Sequence, residues 1–246
     1  MSATSFGADE RRFRPVGYFD LLRDLELPGC AVCRGETHSA WRYLDALLWE
    51  RITDAGTRES ARRTHGFCRE HSFLSLAVAH ELHCESGMAI LFEDLLTHVI
   101  GDLEVALEES GGRGRRRKSK RDPLAPESRC RVCAIAAQTA ANYLRLLATA
   151  DPTSEIGSAA RSGEPHLCVW HLRRGFAQTS LEDERRSFAE VFAAGTNTLR
   201  EELREFIRKR DYRFAHEGTT EREGNAWIRA VHLMVGEFLR RPHGWE

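Results

Sequence analysis

Cys30-Ala31-Val32-Cys33 and, further on, Cys68-Arg69-Glu70-His71 are followed by Cys130-Arg131-Val132-Cys133 and Cys168-Val169-Trp170-His171. The second set stands 100 residues after the first, and both intervals, Cys33 to Cys68 and Cys133 to Cys168, are 35 positions. Six of the seven cysteines belong to this pattern. A Cys-x-x-Cys turn lets two thiolates converge on one ion. A Cys-x-x-His step at a helix start does the same for a thiolate and an imidazole, because residues three apart share a helix face. Three thiolates and one imidazole suit tetrahedral zinc with every coordination position filled.

The same 100-residue shift aligns positions that carry no ligand. Val32 matches Val132, Ala40 matches Ala140, Tyr43-Leu44 matches Tyr143-Leu144, and Leu47 matches Leu147. Ala77, Ala89, Phe92 and Leu103 find Ala177, Ala189, Phe192 and Leu203. The matches predict one unit present twice, over 27–110 and 127–210, packed as a pseudo-two-fold pair. A segment 1–26 precedes the units, a linker over 111–126 separates them, and a capping region over 211–246 follows. Two copies are too few for a solenoid.

Each unit reads as helical. Ala40, Tyr43, Leu44, Leu47 and Leu48 lie on one helical stripe. Gly56 is expected to mark a break before a short polar helix over 58–64, and His71 to begin a helix running to Leu82. Met88, Leu91, Phe92, Leu95, Val99 and Leu103 recur at three and four residues, as do Phe188, Val191, Phe192, Leu199, Leu203 and Phe206. Pro152 and Gly157 predict a loop in the second unit. A last helix is expected over 220–239, with Trp227, Val231, Met234, Val235 and Phe238 as its apolar stripe, and Tyr212 and Trp227 as buried anchors. No period-2 strand pattern is visible. The fold class is therefore all-α.

With 246 residues, 41% hydrophobic and 30% charged, the chain can bury a core without depending on metal alone. A net charge of -1 creates no global attraction to nucleic acid or membrane. Arg11, Arg12 and Arg14 are followed by no apolar stretch of the secretory kind, so a cytoplasmic location is expected. There, reduced thiols favour ligation over disulfides. Cys84 reads as a small buried side chain. Arg113-Gly114-Arg115-Arg116-Arg117-Lys118-Ser119-Lys120-Arg121 places seven positive charges in nine residues between glycines and prolines. It reads as a flexible linker able to meet phosphate backbones, although the remainder of the chain is net acidic.

The pattern assigns Cys30, Cys33, Cys68 and His71 to one zinc ion and Cys130, Cys133, Cys168 and His171 to a second. Spacing alone leaves open whether ligands cross between units. An iron–sulfur cluster is the alternative cofactor. His80-Glu81-Leu82-His83 fails the zincin spacing, because its histidines are three rather than four apart. His166 reads as a loop histidine, and His98, His216, His232 and His243 show no convergent partners. No phosphate loop, nucleophile elbow or kinase signature is present. The functional reading is an interaction or adaptor protein with structural metal and a protein partner; the alternatives are a redox sensor and a nucleic-acid-associated regulator acting through the linker. Catalysis is the less favoured reading.

Gly66-Phe67-Cys68-Arg69-Glu70-His71, Cys30-Ala31-Val32-Cys33 and Arg42-Tyr43-Leu44-Asp45-Ala46-Leu47-Leu48 together resemble an uncharacterised bacterial family with two Cys-x-x-Cys/Cys-x-x-His units. Phe206-Ile207-Arg208-Lys209-Arg210-Asp211-Tyr212-Arg213-Phe214 and the run containing Trp227, Arg229, Ala230 and Gly236 extend the likeness to most of 18–240. The resemblance implies a bacterial cytosolic protein and no particular activity. His166-Leu167-Cys168 departs from Gly66-Phe67-Cys68 in the local loop.

Overall fold

A computed structural model of the chain describes residues 14–111, 122 and 125–237. The basic run 113–121 and Phe238 lie outside these residues. Among those described there are ten α-helices and no strand. They are α1 (Tyr18–Leu25), α2 (Ala31–Ala46), α3 (Ala55–Arg63), α4 (Arg69–Glu81), α5 (Glu85–Gly111), α6 (Arg131–Thr149), α7 (Glu155–Ala160), α8 (Val169–Gln178), α9 (Glu182–Arg208) and α10 (Glu221–Val235). A π turn, Leu47–Arg51, prolongs α2.

Local chemistry sets the helix starts. Cys30, Cys68, Cys130 and Cys168 each occupy the residue just before a helix, so every cysteine pair or cysteine–histidine pair opens one. Asp54 caps α3 by accepting from the Thr57 amide at 2.7 Å, and Ser154 caps α7 by accepting from the Gly157 amide at 3.1 Å. Gly56 and Gly157 consequently fall inside short helices rather than in the expected breaks. The caps outweigh the modest cost of glycine in a helix.

The centre of the molecule is the pairing of α2 with α6, which run antiparallel. Gly35, near the start of α2, faces Tyr143, near the end of α6; Val132, at the start of α6, joins Ala40, Trp41, Leu44, Leu47 and Leu48 in one core. That core is closed by α3, α4 and α5. A second core gathers α1, the start of α2, α6, α7 and α9 around Leu144, Leu147, Ile156 and Phe188. Each central helix therefore contributes one end to each core.

A buried polar node ties α1 to this pair. The Asp24 side chain is fully buried and accepts from the Tyr143 hydroxyl at 2.9 Å, while His38 Nδ1 lies 3.3 Å from its other oxygen. Arg34 donates to the Asp24 carbonyl at 2.9 Å. Burial, together with the Asp24 charge, pushes the Tyr143 phenol well above its usual range, so it remains a donor.

The last helix turns a different face inward from the one its sequence suggests. Ala226 and Leu233 are buried against Leu199 of α9, with Ala230, Phe192 and Leu203 beside them. Trp227, Val231, Met234 and Val235 face solvent, and Tyr212 is 87% exposed, so neither aromatic is a buried anchor. The alanines allow α10 to lie close to α9, and the larger side chains are left outside. The helix stops at Val235, short of Leu239, because Gly236 takes a left-handed φ of 86°.

At Gly35 an added Cβ would stand 2.4 Å from Tyr143 Cε2, and Tyr143 is held by Asp24. Gly35→Ala is expected to destabilise the fold by about 1–3 kcal/mol, read as a lower midpoint of urea unfolding. An unchanged midpoint would show that α2 and α6 do not meet this closely.

Candidate metal centres

The eight predicted ligands form two clusters, and each cluster draws on both halves of the chain. Cys30 and Cys33 meet Cys168 and His171; Cys68 and His71 meet Cys130 and Cys133. Within each set one donor atom per residue lies within 4.8 Å of all the others. The within-unit assignment is therefore corrected to a crossed one. Helix length supplies the reason. The 21 residues from Ala31 to Arg51 extend about 30 Å, while the nine of α3 cover about 13 Å. The chain does not return to the start of α2 before Cys68. It stays at the far end, where antiparallel α6 begins.

The spacing within the clusters suits one ion each. Around a tetrahedral zinc, sulfur–sulfur separations are about 3.8 Å and sulfur–nitrogen separations about 3.5 Å. In the first cluster Cys33 Sγ is 3.8 Å from Cys168 Sγ, and His171 Nδ1 is 3.5, 3.3 and 3.3 Å from Cys30, Cys33 and Cys168. In the second, Cys68 Sγ is 3.5 Å from Cys133 Sγ, and His71 Nδ1 is 3.1, 3.8 and 3.3 Å from Cys68, Cys130 and Cys133. These sulfurs are far beyond disulfide-bonding distance, and none of the seven cysteines is in a disulfide.

Crowding gives the donors opposed acidities. Hydrogen bonds from Cys30 and Cys33 pull Cys168 down to about 4, whereas hydrogen bonds to Cys168 and Cys30, with burial, push Cys33 far up. In the second cluster burial opposes ionisation of Cys130, but His71 and nearby backbone amides bring it down to about 6; burial and Cys68 push Cys133 up to about 12. A divalent cation would favour the thiolate at every position.

The surroundings of the two clusters differ. His171 Nε2 lies 3.1 Å from Glu36 Oε2, and Arg174 donates to Glu36 Oε1 at 2.6 Å. An Nε2–H given to Glu36 leaves the Nδ1 lone pair facing the three sulfurs, the tautomer a ligand needs. Burial raises the Glu36 carboxyl, but His171 and Arg174 outweigh it and hold it below its usual range. Ala136 and Leu74 occupy the positions 100 residues from Glu36 and Arg174, so this clamp has no counterpart at the second cluster. The first cluster is also the more buried, since Cys68 and Cys133 are only half-buried.

The C-terminal segment closes the first cluster. The Glu237 amide donates to Cys33 Sγ at 3.4 Å, and the Cys30 amide donates to Glu237 Oε1 at 3.1 Å. A Cβ on Gly236 would stand 3.4 and 3.6 Å from Cys33 and Cys168 Sγ. Sequence reading missed Glu36 and Glu237. Glu36 had a local signal, three residues after Cys33 on the same helix face; Glu237, more than 200 residues from Cys30, had none. His166 is buried in a loop, where its carbonyl accepts from the Ala31 amide at 3.0 Å, and it joins neither cluster. His80 is 90% exposed and His83 sits in a left-handed turn, so that pair does not converge. Cys84 is buried.

An all-α chain with two crossed three-thiol, one-imidazole clusters is the class defined by this fold and its sites. The model of a family of unknown function, DUF6062, matches residues 25–241, and the chain belongs to that family. The chain is also similar to an uncharacterised 23.9 kDa protein encoded in the xynA 3' region of Caldicellulosiruptor sp. (strain Rt8B.4), with 22% identity over 216 residues covering 88% of this chain and 99% of that protein. No solved structure matches. Among the described residues no helix is long and apolar enough to cross a membrane.

Glu36→Ala is expected to weaken metal binding at the first cluster by about 10–100-fold and leave the second unchanged. Competition with a chromogenic chelator measures both. Equal weakening of the two ions would remove the special role given to Glu36.

Proposed function

We propose that the protein is a zinc-clamped helical interaction scaffold, with one structural ion at Cys30, Cys33, Cys168 and His171 and another at Cys68, His71, Cys130 and Cys133. The observation that carries this reading is that each four-donor set joins the two halves of the chain at helix starts. Four protein donors fill a tetrahedral ion, which suits a structural rather than a catalytic role. Donors lying within 4.8 Å of one another favour a single ion over a multi-iron cluster, whose bridging sulfides spread the ligands further apart. The exposed apolar face of α10, formed by Trp227, Val231, Met234 and Val235, supports a protein partner.

Elemental analysis of protein purified without added metal tests the cofactor. Two zinc ions per chain and a colourless solution are expected; iron with visible absorption would replace zinc by the redox reading. Paired substitutions test the crossing. Cys30→Ser with Cys168→Ser is expected to remove one ion, whereas Cys30→Ser with Cys68→Ser is expected to remove both. The opposite result would restore the within-unit assignment.

A further inference from the structure

His65 in the loop between α3 and α4 meets His98 and Asp102 of α5 in a third convergence of donors, which shares no residue with the two cysteine clusters. His65 Nε2 and His98 Nε2 lie 3.6 and 3.5 Å from the same oxygen of Asp102, and the two rings meet edge to face with centroids 6.3 Å apart. One donor atom from each residue lies within 4.8 Å of the others. These separations are too long for good hydrogen bonds, which lie at about 2.7–3.2 Å. They are close to the roughly 3.3 Å expected between nitrogen or oxygen donors that share a tetrahedral ion.

Two features of the fold hold these groups in place. Asp94, His98 and Asp102 recur every four residues along one stripe of α5. Asp94 is bonded by Arg58 at 2.6 Å and by Arg62 at 2.6 and 2.9 Å, which anchors the stripe to α3. Among the described residues the ion-pair partners of Asp102 are the two histidines, not an arginine or lysine. His65 itself takes a left-handed φ of 49°, in a turn closed by Gly66 N–H to the Ala61 carbonyl at 2.8 Å and His65 N–H to the Arg62 carbonyl at 3.0 Å. Glycine is the usual occupant of such a turn. An imidazole is kept there at a cost in backbone strain, and it points at Asp102.

We propose that His65, His98 and Asp102 form a third, exchangeable site for a divalent transition ion such as zinc. Two imidazoles and one carboxylate are a donor set of borderline softness. Three protein ligands leave at least one coordination position to water or to a small anion. The side chains are 20%, 38% and 33% exposed, so an ion would exchange with solvent more readily than one held by four protein donors in a cysteine cluster.

Equilibrium dialysis against zinc, followed by elemental analysis, tests this on the full chain. The wild type is expected to bind one equivalent beyond its tightly held ions. His65→Gly and His98→Ala should each lose that equivalent and retain the rest. Glycine suits the left-handed turn, so His65→Gly removes the imidazole without threatening the fold. A wild type that takes up no extra equivalent, or variants that keep it, would overturn the site. The proposal does not rest on the cysteine clusters, whose own ions are counted separately as those that resist dialysis.

Discussion

Four sulfur and nitrogen donors packed within 4.8 Å of one another pose a problem of charge that the rest of this fold is arranged around. Thiolates placed side by side repel, and thiols placed side by side forgo their best interactions. The opposed acidities of Cys33 and Cys168, and of Cys130 and Cys133, express that conflict. A small divalent cation would resolve it at all four positions together. Helix starts are suitable places for it, because their free amide groups also favour negative sulfur.

Crossing the halves changes what such an ion would do mechanically. Cys33 and Cys168 are separated by 135 residues and Cys68 and Cys133 by 65, so closure of either cluster links segments that chain connectivity leaves far apart. An unliganded chain would have to bear that loop entropy through packing alone. Each cluster lies at one end of the antiparallel α2–α6 pair. The two hydrophobic cores lie along the same pair, and the buried node at Asp24, Tyr143, Arg34 and His38 adds a directional element that apolar packing lacks.

The clusters are alike in donors and unlike in support. The first is held by Glu36, Arg174, Gly236 and Glu237; the second lies nearer the surface and carries apolar residues where the Glu36–Arg174 clamp would stand. An orienting carboxylate and a protein lid both slow loss of an ion and sharpen its geometry. The two clusters thus differ in burial and in the groups that orient their donors.

Much of this was legible in the residues. Apolar periodicity placed the long helices, and the spacing of cysteines and histidines picked out all eight clustered donors. What spacing does not contain is distance across the fold. The partners of Cys33 depend on how far α2 runs before the chain turns, and on α6 lying antiparallel to it. The convergence of His65 with His98 likewise needs α3 packed on α5, and the inward face of α10 was decided by how closely its alanines let it approach α9. Composition and periodicity are local properties, so the sequence by itself determined the helices and the donor types. Which donors meet is a property of the packed ensemble of helices, and only the tertiary structure decided it.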